Sequence, residues 1–446
     1  MVINIPPQVN RAIEILCSGG HSAYVVGGAV RNIIMDIPVN DWDITTSALP
    51  SETLELFKDY RTIETGIKHG TVTVIIDGMS LEITTYRIEY GYTDNRHPDK
   101  VDFTDKVEDD LSRRDFTVNA IAYSPINSFV DPFGGCKDIE EKIIRCVGNP
   151  DKRFGEDALR ILRALRFASV LGFEIDCETS ESIHKSMHLL KNISVERIFV
   201  ELSKLLCGIN AAEILHEYKD VIFCILPELE PMDNCVQNHE RHIYDVWGHT
   251  VAAVKAIPPD PILRFAMLLH DSGKPHCKTT DQGGTDHFYS HGKISKNIAF
   301  EILSRLKTSN KFRDTVCNLV EYHDFLPDKI SKKTYKKYIT KLGLETVEKL
   351  FLIREADISA QNPVFYDEAA KQNKIGKKIL QDITEENSCI KISDLAVDGK
   401  KLANIGISPS PAMGKIMETL LDEVMDEKLP NDESALIERA KQLAGL

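Results

Sequence analysis

The stretch VVGGAVRNIIMDIPVNDWDITTSALP, residues 25–50, decides how the rest of the chain is read. An apolar run, Ala23–Val26, stops at Gly27-Gly28, and Ala29–Met35 follows with helical spacing. A strand that becomes a helix through two glycines lets backbone N–H groups approach a phosphate, at the helix end that favours negative charge. Arg31, one turn in, adds a candidate charge-assisted contact. A Gly-Gly turn alone is more often only a tight turn. Asp41-Trp42-Asp43 is sharper. Residues two apart on a strand face the same side, so two such carboxylates repel unless a cation neutralises them. A divalent metal held there is suited to activating a hydroxyl and stabilising a leaving pyrophosphate. An isolated Asp-x-Asp is usually a solvated turn, but its place shortly after Gly-Gly-x-x-Arg favours the metal. Glu82, in another strand candidate, is either a third carboxylate of the group or an ordinary exposed strand residue.

Outward from this stretch, Thr71–Asp77 and Leu81–Tyr86 are β-rich around the turn Asp77-Gly78. Glu89–Pro98 is polar and reads as a mobile loop. From about Pro150 strand signals disappear. Glu156–Leu171 predicts an amphipathic helix, with Leu159, Leu162, Leu165 and Phe167 offset from the arginines. Val195–Cys207 predicts another. Helical patterns continue, broken by Pro258-Pro259, Gly283-Gly284 and Ser408-Pro409-Ser410-Pro411. The expected class is α+β, a mixed head followed by a long helical body.

At 446 residues the chain exceeds one ordinary core. Its 42% hydrophobic and 27% charged content is that of a globular, water-soluble chain. A net charge of −14 argues against indiscriminate coating of nucleic acid and leaves room for a local basic groove. The 10 cysteines form no Cys-x-x-Cys pair, which suggests free thiols in a reducing compartment. Residues 1–10 hold no basic segment followed by an apolar one, and no apolar run nears the ~20 residues a membrane helix needs. A cytoplasmic protein without membrane contact is expected.

Further motifs follow in one order: TGIKHGTVTV (65–74), EITTYRIEYGYTDNRHP (82–98), DDLSRRDFTVNAIAY (109–123), DPFGGCKDIEEKIIR (131–145), FGEDALRILRALRFA (154–168) and SVERIFVELSKLL (194–206). With residues 25–50, this succession resembles the class II tRNA nucleotidyltransferases, or CCA-adding enzymes, and the bacterial poly(A) polymerases. Residues 407–437, ISPSPAMGKIMETLLDEVMDEKLPNDESALI, resemble the family's C-terminal region. The resemblance implies a polymerase-β-like nucleotidyltransferase head over residues 1–145. An all-helical remainder would comprise a neck (146–208), a connection or body (209–236), an HD domain (237–365) and a tail (366–446). It implies Asp41 and Asp43 as catalytic ligands of Mg²⁺. CTP and ATP would be the substrates and the tRNA acceptor arm the partner. Gly28, Arg31, Arg114, Asp157, Arg160, Arg163 and Arg166 would bind nucleotide, with Gly27 and Asp115 beside them. Asp115 is expected to orient Arg114, while Thr117 and Asn119 look structural. Arg87–Pro98 resembles the mobile loop associated with terminal A addition. Asn32 departs from the family, which usually has Asp there.

In Glu156-Asp157-x-x-Arg160-x-x-Arg163-x-x-Arg166, i,i+3 steps predict one drifting helical stripe. The resemblance implies a protein template: Asp157 accepts from an exocyclic amine and Arg160 donates to the adjacent ring acceptor. Cytosine and adenine both offer that pair. Guanine and uracil reverse it, leaving buried polar groups unpaired at ~1–3 kcal/mol each. Arg163 and Arg166 would reach toward triphosphate. A salt-bridged surface helix is the plain alternative.

His249, His270-Asp271 with Gly273-Lys274, and Asp357 resemble the HD phosphohydrolase superfamily, in which two His and two Asp hold a divalent metal. Imidazole with carboxylate suits several metals. His287, His291 and His323 are candidates for further ligands or phosphate contacts. A fold kept only for shape is the alternative. Three other functions stay open beside CCA addition: A-only addition or poly(A) polymerase activity on the same head, an HD phosphohydrolase with an inactive head, and a tRNA-binding protein. tRNA recognition through shape and phosphates would draw on the candidate basic helices Lys185–Arg197 and Lys332–Lys341.

Overall fold

The computed structural model describes residues 5–67, 70–92, 98–324, 331–385, 391–426 and 428–446. The chain forms two compact units, residues 1–227 and 228–446. Each is described by itself.

The first unit is built on a sheet. Its strands are β1 (Ala23–Val26), β2 (Asp43–Thr46), β3 (Arg61–Ile63), β4 (Thr71–Ile76) and β5 (Met79–Thr85). A separate ribbon pairs β6 (Arg87–Tyr90) with β7 (Lys100–Phe103), and β8 (Ala122–Ser124) and β9 (Ser128–Val130) complete the main sheet. The order is β3-β4-β5-β2-β1-β8-β9. Alternation sets the two faces. Val72, Val74, Leu81, Ile83 and Ile44 are buried on one face. Asp43 and Glu82 are register partners across β2 and β5, and so share the other face. The expected turn at Asp77-Gly78 joins β4 to β5 with both residues at positive φ, +47° and +83°. That is the backbone a two-residue hairpin turn requires.

Four expectations are corrected in this unit. The loop expected over Glu89–Pro98 begins later, because Glu89 belongs to β6. Its carboxylate is an ion-pair partner of Arg87 and Arg113, not a solvated loop charge. Residues 93–97 of that loop lie outside the described residues. The single helix expected over Glu156–Leu171 is two, Pro150–Glu156 and Leu159–Leu171. Asp157 between them is extended (φ −140°, ψ 103°), and its Oδ1 accepts from Leu159 N at 3.1 Å. A short acidic side chain competes for helix N–H groups in this way and favours a helix start over an interior. Lys185–Arg197 is likewise not one helix: Cys177–Ser186, a 3₁₀ segment Met187–Asn192 and Val195–Leu206 divide it. Strands also occur beyond Pro150, as Glu174–Ile175 pairs in parallel with Ile143–Ile144. Two residues are too few for an alternation signal.

Among its described residues the second unit is helical apart from one short ladder, Thr279–Thr280 with Asp286–His287. Asp245 caps Val246–Ala256 and Asp260 caps Pro261–Leu269 through side-chain oxygens that accept from backbone N–H groups. Phe265 to Leu269 are all fully buried, so this helix runs through the core. His291–Arg305, Asn310–Glu321 and Leu344–Ser359 pack around it. The expected helix over Lys332–Lys341 forms as Lys332–Leu342. Further along, Leu402, Met413, Met417, Leu420 and Leu436 close a separate apolar cluster between the last helices. Among the described residues no helix is long and apolar enough to cross a membrane.

Candidate functional site

In the first unit β1 runs antiparallel to β2 with Val26 opposite Asp43. Gly27-Gly28 therefore leaves the sheet at the end where Asp41 and Asp43 enter it. Gly27 sits at φ +70°, and a Cβ there would lie 3.1 Å from Arg114 Nη1. Only glycine combines that backbone with that neighbour. Asp43 stays exposed at the start of β2, yet partial desolvation by the surrounding protein, with Glu82 and Asp41 adding to it and Arg114 opposing, pushes its carboxyl above the ordinary range. Asp41 precedes β2 rather than sharing the strand with Asp43, so only Asp43 and Glu82 share a sheet face; three like charges gathered this closely, with one of them disfavoured as an anion, fit a divalent cation.

Arg114 is held by a carboxylate that sequence reading missed. Asp110, fully buried, accepts from Arg113 Nη2 at 2.7 Å and Arg114 Nη2 at 3.3 Å, and from Thr45 Oγ1 of β2 at 3.3 Å. Burial works against its charge, but the two arginines outweigh it and hold its carboxyl below the ordinary range. The expectation that Asp115 orients Arg114 is corrected. Asp115 Oδ2 accepts from Arg163 Nε at 2.8 Å and Nη2 at 2.6 Å. Its Oδ1 accepts from Asn119 Nδ2 at 3.1 Å, and Asn119 Oδ1 in turn accepts from Arg31 Nη1 at 2.6 Å. Burial opposes the Asp115 anion, yet Arg163 and Asn119 hold it well below the usual carboxylate value. Arg31 is buried in this chain of contacts, and burial with Arg166 lowers its pKa to about 10. Arg31, Arg163 and Arg166 surround the ring of Phe167, with guanidinium carbons 5.1, 5.4 and 3.9 Å from its centroid. Arg166 also pairs with Glu201 at 2.8 Å.

Asp157 and Arg160 are not paired with each other through their side chains. Arg197 Nη2 donates to Asp157 Oδ2 at 2.8 Å. Arg160 donates to Glu156 Oε2 at 2.7 Å and to the Arg113 carbonyl at 2.9 Å. Each is thus oriented by a second charged group. The role of Arg197 was not legible in sequence, since its partner lies 40 positions away.

The second unit gathers the His and Asp residues of its motif. His249 Nε2 lies 2.9 Å from Asp357 Oδ1 and 3.6 Å from Asp271 Oδ2. His270 Nε2 lies 3.2 Å from Asp271 Oδ2 and 3.8 Å from Asp357 Oδ1. His291 and His323 join them on the other side of Asp271. Gly273 allows this. A Cβ there would meet the His291 carbonyl at 2.6 Å, and Gly273 N donates to Ser295 Oγ at 2.8 Å, which clamps the turn to the helix of His291. Asp271 is 1% exposed and neither of its oxygens accepts a hydrogen bond. Lys274 Nζ meets Oδ2 as an ion pair at 2.7 Å. A buried carboxylate so placed among imidazoles fits a cation. Burial lowers the pKa of His323, but Asp271 outweighs it and holds it up to about 9. Burial, Lys274 and His249 push His242 down to about 3, so it stands neutral on the wall of the same cavity. That cavity of about 480 Å³ is lined by Asp271, Lys274, His291, His323 and Asp357. His287 stands apart from the clustered imidazoles, its Nε2 pairing with Asp281 at 3.0 Å, but it lines the same cavity.

Residues 23–145 match the poly A polymerase head domain family, residues 172–231 a probable RNA and SrmB-binding site of polymerase A, and residues 287–440 a putative tRNA nucleotidyltransferase domain 2. Sheet, paired carboxylates and head match together define a nucleotidyltransferase of the polymerase-β-like class. The CCA-adding enzyme of Ligilactobacillus salivarius (strain UCC118) is 32% identical over 459 residues, covering 99% of this chain and 98% of the relative. That of Anoxybacillus flavithermus (strain DSM 21510 / WK1) is 39% identical over 327 residues, 72% of this chain and 76% of the relative. The crystal structure of the Bacillus stearothermophilus CCA-adding enzyme in complex with CTP aligns with a TM-score of 0.72 at 27% identity, over 99% of this chain and 98% of that one. The chain belongs to the CCA-adding enzyme family.

Proposed function

We propose that this chain adds C, C and A in succession to the 3′ end of tRNA, taking CTP and ATP and releasing pyrophosphate. The observation that carries the reading is the register of β1, β2 and β5, with Asp43 beside Glu82 and opposite Val26, next to Gly27-Gly28 and Arg114. It is supported by family membership over nearly the whole chain. Asp41 and Asp43, with Glu82 beside them, hold divalent cation, Mg²⁺ in this proposal. When bound, the metal supplies activation of the attacking 3′-hydroxyl and charge stabilisation for the leaving pyrophosphate. Arg114, fixed by Asp110, faces the phosphates from the Gly27 side. Asp157 accepts from the exocyclic amine of cytosine or adenine, and Arg160 donates to the adjacent ring nitrogen. Arg197 and Glu156 hold these two in place, so discrimination against GTP and UTP rests on groups positioned beforehand. Arg31, Arg163 and Arg166 form a cationic wall for triphosphate.

The test is incorporation of labelled CTP and ATP into tRNA transcripts ending before CCA, after C and after CC. Complete CCA on the shortest transcript is expected. Addition of A only to the CC-ending transcript would make the chain an A-adding enzyme, and untemplated runs of A would make it a poly(A) polymerase.

A second activity is favoured by the His and Asp group of the other unit. His249, His270, Asp271 and Asp357 hold a divalent cation, which supplies Lewis acidity for hydrolysis of a phosphoester entering the cavity. Lys274, buried beside Asp271, steadies the carboxylate and adds positive charge to the cavity wall.

A further inference from the structure

The Arg160 guanidinium has five N–H groups, and three of them are spent inside the protein. Nη1 donates to Glu156 Oε2 at 2.7 Å and to the Arg153 carbonyl at 3.2 Å. Nη2 donates to the Arg113 carbonyl at 2.9 Å. Among the described residues this leaves Nε–H and one Nη2–H for a base. A planar fork pinned in this way turns only if its acceptors move. Glu156 and Arg153 lie in the helix Pro150–Glu156, just before Arg160. The Arg113 carbonyl comes from 47 positions earlier, at the end of the helix Val107–Ser112. The direction in which Arg160 points therefore depends on how Arg113 is held.

Two carboxylates hold it. Nε and Nη2 of Arg113 donate to Asp110 Oδ1 at 3.0 and 2.7 Å, and Nη1 donates to Glu89 Oε1 at 3.2 Å. Asp110 lies on the helix that Arg113 ends, so Glu89 of β6 supplies the hold from another element. Glu89 is itself closed in. Its side chain is 7% exposed, its Oε1 also accepts from Arg87 Nε at 2.7 Å, and its Oε2 accepts from Tyr92 Oη at 2.6 Å. Burial opposes the Glu89 anion, but Arg113, Tyr92 and Arg87 outweigh it and hold the carboxyl below its ordinary range. Burial, Glu89 and the charge of Glu156 all raise the Tyr92 phenol, which stays protonated as the donor.

Resting on the reading of Asp157 and Arg160 as the base-selecting pair, we propose that Glu89 is a specificity-determining positioning residue. By holding Arg113 it fixes the carbonyl that aims Arg160 at the base. Glu89 touches no substrate. It acts through one side chain and one carbonyl. Cytosine and adenine both offer a ring acceptor beside an amine, so one aim serves every addition. A fork free to turn reaches a carbonyl oxygen of uracil or guanine instead, and the penalty for the wrong base falls.

The test uses the full chain and steady-state incorporation. kcat and KM are measured for CTP and UTP on a tRNA transcript ending before CCA, and for ATP and GTP on one ending in CC. In Glu89→Gln the kcat/KM preference for CTP over UTP, and for ATP over GTP, is expected to fall by about tenfold, with KM for CTP and ATP raised. Asp102→Asn removes an exposed charge of the same ribbon, paired with Lys100, and should keep both preferences. Far-ultraviolet circular dichroism reports folding in each variant. If Glu89→Gln does not fold, Tyr92→Phe removes a single bond to the carboxylate and should lower both preferences by about threefold. Wild-type preferences in a folded Glu89→Gln, even at a reduced rate, overturn the positioning role, as do unchanged preferences in Tyr92→Phe where it stands in. A fall confined to ATP over GTP overturns the single aim, and an equal fall in Asp102→Asn overturns the assignment to Glu89. A wild type that incorporates UTP as readily as CTP overturns the base-selecting pair itself, and the proposal with it.

Discussion

Asp110 shows how much of the head depends on one side chain. It joins Thr45 on the sheet to Arg113 and Arg114, and Glu89 of the ribbon adds a second anion to Arg113. Asp110→Asn leaves two largely covered guanidiniums short of their counter-charge, which costs about 3 kcal/mol. A matching fall in the denaturation midpoint is expected, with at least a tenfold loss of nucleotide incorporation as Arg114 is released. An unchanged midpoint would contradict the anchoring role. Asp115 makes a pH-dependent contribution. Its folded pKa is depressed below the ordinary 3.8, so its pairing stabilises fully above that value and is lost as pH falls through the folded value. The stability gap between wild type and Asp115→Asn should stay constant from about pH 5 to 8 and narrow in acid below 3.8. A gap that ignores acid would mean that Arg163 is held otherwise. At this scale Asp41, Asp43 and the His and Asp residues of the second unit stand out in the sequence as motif residues, and the structure brings His249, His270 and Asp271 together. Arg197 does not, because its identity as the holder of Asp157 exists only across a distant contact.

The elements that carry the site were mostly legible too, and the exceptions share a cause. The hairpin at Asp77-Gly78 and the strand ending at Val26 follow from alternation and from glycine. The ribbon strand β6 was hidden by Glu89, and the break at Asp157 by the i,i+3 arginine pattern that follows it and makes Asp157 look like its first helical step. In both, a charge that looks solvated is instead held by a partner from another element. Gly27 and Gly78 separate the two uses of glycine. Both have positive φ, but a Cβ at Gly78 would meet nothing within 4 Å, whereas one at Gly27 would crowd Arg114. Alanine at either position should cost about 1 kcal/mol of stability. Only Gly27→Ala should also depress incorporation, by tenfold or more, in a side-by-side steady-state assay. Equal activity of the two variants would remove Gly27 from the site.

Over the whole molecule, motif order identified the family before any contact was known, and composition set limits only. A net charge of −14 leaves any tRNA contact to local basic surface, and charge runs such as Lys332–Leu342 did not single out which residues make it. The two units carry separate clusters of candidate ligands, carboxylates at the end of a sheet strand in one and imidazoles with carboxylates among helices in the other. What sequence could not convey was how one carboxylate is shared between groups, as Asp110 is between two arginines and Asp271 between two pairs of histidines. The most direct test of the central claim compares wild type with the Asp41→Ala, Asp43→Ala double variant on a tRNA transcript ending before CCA, with CTP and ATP both present. Complete CCA by the wild type, and no extension by a folded double variant, is the expected result. Extension that persists in the double variant, or a wild type that extends no transcript, would contradict it.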